Sequence, residues 1–161
     1  NGGVGSWNNS GTFNPESSTV VFDYTEATID GSTTFNNLTI NSGKALTPQS
    51  ASAIRIGGIF SNSGTLNSHL FNNTVDYFGD NQSVVSPGGS SSAYYNLNLS
   101  GSGTKTMPAT AMSILGDFTV DGTASATAGA ALSIGGNLSI GAGAVLGKAQ
   151  HGTGRNHFFA G

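Results

Sequence analysis

This chain of 161 residues has no cysteine. Disulfides and thiolate metal sites are therefore excluded, and any fold must be held by backbone ladders and core packing alone. Charge is scarce too. Only 8% of the residues are charged, against roughly 25% in an ordinary soluble domain. The basic residues are Lys44, Arg55, Lys105, Lys148 and Arg155, scattered along a chain of net charge −3. A nucleic-acid partner needs a basic face that displaces counterions from phosphates, so we expect none.

Long apolar runs are missing as well. The least charged window, 124–147, has the length of a membrane span. Glycines, serines and Asn137 interrupt it, and its apolar residues alternate as in a strand. We expect no membrane span.

The arrangements that carry chemistry are also absent. His69, His151 and His157 show no metal-ligand spacing. The glycine pairs 57–58, 88–89 and 135–136 lack the helix a phosphate loop requires. No Gly-x-Ser-x-Gly elbow sits between a strand and a helix. Asp23, Asp76 and Asp80 fall near equivalent turns of a repeat, spaced by about 14 Å if three strand spacings separate them. That is too far for a carboxylate pair. Asp117 and Asp121 should point outward, beside inward Phe118 and Val120. The acids read as solvated surface groups, and we expect no enzyme, cofactor or metal site.

What the chain has is repetition in glycine, serine, threonine and asparagine. Met112, Ile114, Gly116, Phe118 and Val120 return 20 positions later as Leu132, Ile134, Gly136, Leu138 and Ile140. Polar residues alternate with them, which is the period of a strand with one buried face. A strand that returns every 20 or so residues suggests a coil climbing one strand spacing per turn.

A longer repeat contains this one. Trp7-Asn-Asn-Ser-Gly-Thr-Phe13 matches Phe60-Ser-Asn-Ser-Gly-Thr-Leu66, and the strand Thr19–Tyr24 matches Thr74–Phe78. Phe35-Asn-Asn-Leu-Thr-Ile40 matches Tyr94-Tyr-Asn-Leu-Asn-Leu99, and Ile54–Phe60 matches Met112–Phe118. The period is about 58 residues, with copies over 7–63 and 64–122 and a partial one over 123–147. Three coils of 19 to 20 residues should make one copy, giving about seven or eight coils and a body about 35–40 Å tall.

Gly58, Gly116 and Gly136 fall at one point of the motif, which marks a bend or a close backbone approach. Pro15, Pro48, Pro87 and Pro108 should lie between strands, where a missing N–H costs least. Residues 148–161 break the pattern and read as a cap, a return strand or an inter-subunit segment, because a solenoid end must be covered or paired. The sequence starts at Asn1 rather than Met, which reads as a processed or excerpted chain.

Asn-x-Ser/Thr occurs at Asn8, Asn37, Asn72, Asn81, Asn98 and Asn137. These are candidate glycosylation sites on an exported chain, although polar ladders explain them equally. Strand parity sets Tyr95 with Leu97 and Leu99 on one face and Tyr94 on the other, so one ring of the pair points outward as a sugar-stacking candidate. Thr104-Lys-Thr106 is a lone instance of the Thr-x-Thr pattern that ice binding needs as an array.

At Gly11–Asn14, Phe35–Ile40 and Tyr94–Thr104 the chain resembles the β-strand repeat regions of large secreted bacterial surface proteins, which are parallel β-helices in adhesins and envelope fibres. The Leu132–Leu146 stretch is similar to the glycine-punctuated rungs of bactofilins, which polymerise through their solenoid ends. The first resemblance spans most of 5–147 and implies no catalytic residue.

We therefore expect an all-β, right-handed parallel β-helix over 1–147 with a tail over 148–161. The alternative is an antiparallel β-sandwich or jelly roll. The expected function is that of an extracellular, cell-surface structural subunit of a filament, fibre or adhesin stalk. It would be a homopolymer joined head to tail through Trp7 and Phe13 at one end and His157, Phe158 and Phe159 at the other. The alternative is a carbohydrate-binding adhesin module on the same fold, with surface glycans as partners.

Overall fold

The computed structural model describes residues 3–148 and the strand Phe159–Ala160. It is all-β: 21 strands, every pairing parallel, and no helix among the described residues. Three strands make one turn, so the chain climbs through about seven turns of a β-solenoid. The expected parallel solenoid is the fold adopted, and the antiparallel sandwich or jelly roll is not.

Three sides bound each turn. Side one is a continuous six-stranded sheet of Thr33–Phe35, Ala53–Ile56, Thr74–Tyr77, Asn96–Leu99, Phe118–Val120 and Leu138–Ile140. Side two holds Thr19–Phe22, Asn37–Ile40 and Phe60–Asn62, then a second sheet of Gln82–Ser83, Thr104–Thr106, Ser125–Ala128 and Val145–Lys148. Side three holds Val4–Asn8, Glu26–Asp30, Ala45–Pro48 and Thr65–Leu66, then Ala93–Tyr94, Met112–Ile114, Leu132–Ile134 and Phe159–Ala160. Both sheet breaks fall between the same two turns. There residues 84–92 bulge, and Asn62 Nδ2 bridges the seam by donating to the carbonyls of Ser86 (3.1 Å) and Pro87 (2.8 Å).

Alternation builds the core. Phe35, Ile56, Tyr77, Leu99 and Val120 stack in register on side one, 21 or 22 residues apart, and all are buried. Ile54, Val75, Leu97 and Phe118 form a second inward column. The 20-residue motif is one turn, as expected: Met112 pairs with Leu132, Phe118 with Leu138 and Val120 with Ile140.

The 58-residue repeat, in contrast, is not three turns. It contains eight strands, and eight is not a multiple of three. Ala53–Ile56 lies on side one, whereas its sequence counterpart Met112–Ile114 lies on side three. Asn37–Ile40 lies on side two, and its counterpart Asn96–Leu99 on side one. Every equivalent strand is displaced by one side, because the eight strands of a copy stop one short of three full turns.

The corner glycines have a definite cause. The bend follows side one at Gly58 and side three at Gly116 and Gly136, and at each a side chain of one turn caps the turn that follows it. Asn37 Oδ1 accepts from Ile59 N (2.8 Å), Asn96 Oδ1 from Asp117 N (2.9 Å), and Asp117 Oδ1 from Asn137 N (2.8 Å). Gly58, Gly116 and Gly136 lie against those oxygens, and a Cβ at any of them would collide with one. Pro15, Pro87 and Pro108 fall between strands, but Pro48 ends one, paired with Ile29. Gln49 N then resumes the ladder to Ile29 O (2.8 Å).

Candidate functional site

The two ends and the interior hold the side chains that could carry function. At the lower end Trp7 and Phe13 meet edge to face, with centroids 5.1 Å apart. Both lean on buried Phe35, at 5.5 and 6.1 Å. Phe22 joins them 6.2 Å from Trp7, and Trp7 Nε1 donates to Thr33 Oγ1 (3.1 Å). The pair expected at an interface thus closes the first turn of its own chain, with both rings half-buried.

The upper end is built otherwise. Leu138 and Ile140 sit in register on the inward positions Phe118 and Val120, yet are 42% and 49% exposed. Leu146, in register with buried Ala126, is half-buried. Of the other expected interface residues, His157 and Phe158 lie outside the described residues. The backbone of Phe159 pairs with Ser133, while its side chain is also outside them.

Polar groups occupy the interior at the seam. The hydroxyls of Tyr77 and Tyr94 meet at 2.9 Å, both fully buried. Tyr94 donates to Val85 O (2.6 Å), and Val85 N donates to the Tyr77 hydroxyl (3.3 Å). Burial pushes Tyr77 up to about 12, partly offset by its bonds to Tyr94 and Val85. Burial raises Tyr94 as well, reinforced by Tyr77. One expectation is corrected here: Tyr94 points inward and Tyr95 outward. The corner at Tyr95, between Ala93–Tyr94 and Asn96–Leu99, resets the alternation.

Lys105 is also inside. Its ammonium donates to Gly79 O, to Asp80 O (2.9 Å) and to Gln82 Oε1 (2.9 Å), using all three protons. Burial lowers its pKa, opposed by the charges of Asp76 and Asp80. Gln82 in turn donates to Ile56 O (2.9 Å) and Gly58 O (2.8 Å). Thr104 and Thr106 face solvent on either side of this inward lysine.

Asp76 departs from the expected solvated acid. It is buried, ion-paired to Arg55 Nε at 3.0 Å, and accepts from Ser100 Oγ (2.7 Å). Arg55 lies 4.8 Å over the Phe78 ring. This network is structural: each polar atom of the Asp76 carboxylate already has a partner. Asp117 and Asp121 do point outward.

The asparagines of the Asn-x-Ser/Thr sites serve mainly as turn-to-turn braces. Asn37 Nδ2 donates to Thr19 Oγ1 (3.3 Å), and Asn137 Nδ2 to Asp117 Oδ1 (3.1 Å). Asn72 Oδ1 accepts from Asn96 Nδ2 (2.9 Å), and Asn81 Oδ1 from Thr104 N (2.8 Å). Asn98 lies half-buried on side one, and Asn8 is exposed on the first strand. Among the described residues no three His, Cys, Asp or Glu side chains come together. No helix there is long and apolar enough to cross a membrane.

Comparison with protein-family models, with curated proteins and with solved structures yields no match.

Proposed function

We propose that this chain is a structural subunit of an extracellular filament, fibre or adhesin stalk, and that copies join head to tail through their solenoid ends. The observation that carries this reading is the unfinished upper end, where Leu138 and Ile140 hold core positions and stay half exposed. Parallel strands give the two ends different edges that face opposite ways along one axis. A contact between them is heterologous and propagates without closing. The seat offered by the next copy is the half-buried ring pair Trp7 and Phe13. Low charge keeps repulsion between copies small.

Electron microscopy of the purified chain, beside a Leu138→Ser/Ile140→Ser variant, tests this. The wild type should form rods with an axial repeat near the solenoid height, and the variant should stay a folded monomer. A wild-type chain that remains a 16.1 kDa monomer at every concentration overturns the reading.

A further inference from the structure

The two ends of the solenoid do not stop on the same side. At the lower end Val4–Asn8 lies on side three, the strandless stretch 9–18 passes side one, and Thr19–Phe22 takes side two. With that stretch counted as a side, the 21 strands fill seven turns and one side more. The extra side is Phe159–Ala160, whose backbone pairs with Ser133 and Ile134 on side three. The next position along the climb is therefore on side one, above Leu138–Ile140, where the core is unfinished.

Val4–Asn8 is the first strand of the lower end, and its lower edge is unpaired. Gly5 and Trp7 hold its inward positions, in register with buried Ala27 and Ile29, while Val4, Ser6 and Asn8 are exposed. Leu138–Ile140 has the same plan, with two inward positions around exposed Ser139. Gly5 has no side chain, but the ring of Tyr24, itself half exposed, lies where one would stand. Neither strand carries a charged residue.

From these features, and resting on the end-to-end reading above, we infer that a second copy seats its Val4–Asn8 on the free edge of Leu138–Ile140 and is turned by one side relative to the first. Matching the two inward positions of each strand fixes the register: Gly5 over Leu138, Trp7 over Ile140 and Ser6 beside Ser139. Both edges then gain backbone partners, and the two exposed apolar side chains are covered. The other rotations do less. With Val4–Asn8 on side two, or on Phe159–Ala160, a strand's width of about 4.8 Å stays open above Leu138 and Ile140. With Val4–Asn8 directly on Leu132–Ile134, Phe159–Ala160 must leave its place.

Thiol crosslinking of assembled rods tests the inference, because the full chain has no cysteine of its own. Ser6→Cys/Ser139→Cys places one thiol on each side of the joint at exposed positions. Within one copy the two lie about 30 Å apart, some seven strand spacings, so a short bifunctional reagent can link them only between copies. Ser6→Cys with Ser133→Cys, or with Val145→Cys, reports the other two rotations. Rods of the first variant should become covalent multimers on a denaturing gel, and rods of the other two should run as monomers. Rods that link through Ser133→Cys or Val145→Cys, or through none of the three, overturn the turned joint and leave end-to-end assembly standing. A chain that forms no rods overturns the end-to-end reading, and the joint with it.

Discussion

The lower turns and the upper turns share one backbone plan and are filled differently. Below the seam the core is made of Phe22, Phe35, Phe60, Ile29, Ile40 and Leu46, and a cluster of rings closes the end. Above it side two turns Gln82, Lys105 and the small Ala124, Ala126 and Ala128 inward, and the last turn leaves Leu138 and Ile140 half in solvent. Each turn of a solenoid touches only its neighbours, so stability is close to a sum of local terms. The lower half should therefore anchor the fold, and the upper end should be the weaker of the two.

The sharpest way to break this contrast is to truncate one inward side chain in each half. Phe35→Ala should cost about 3–5 kcal/mol in urea unfolding, as for a fully buried ring. Leu138→Ala, removing a side chain already half exposed, should cost less than about 1 kcal/mol in dilute monomer. Equal losses would mean that the upper end is covered in the isolated chain.

Next in size is the corner. Gly116→Ala should cost about 1–3 kcal/mol by chemical denaturation, because its Cβ meets Asn96 Oδ1 and presses the Tyr95 ring. The loss should fall on the upper turns, seen as faster amide exchange above residue 116 with little change below it. Uniform loosening would show that the two halves unfold as one unit.

The smallest effect concerns the seam that divides the halves. Burial raises the pKa of Tyr77, so the fold favours its neutral form. Its contribution is intact below pH 10, the ordinary tyrosine value, and is lost as pH rises toward about 12. The slope should be on the order of 1 kcal/mol per pH unit in that window. Thermal melts should follow it in the wild type and more weakly in Tyr77→Phe. A flat profile between pH 10 and 12 would remove the buried pair as the fastening of the seam.

How legible this was in the sequence depended on whether a signal was local. Alternation around Met112–Val120 and its return at Leu132–Ile140 are properties of single strands, and they gave both the parallel coil and its climb. The glycine of each corner was legible as a close approach, though not that asparagine and aspartate oxygens occupy the space. Tyr94 was misplaced because parity was carried through the corner at Tyr95. Lys105 was missed for another reason: a lysine between two threonines looks like surface until its in-register neighbours Ala126 and Leu146 show that the position faces inward.

A repeat of eight strands wound on three sides has a consequence for the outside of the rod. The second copy is turned by one side relative to the first, so that matching stretches such as Asn37–Ile40 and Asn96–Leu99 look out in different directions. Segments that resemble each other in sequence therefore do not line up into one flat, repeating face.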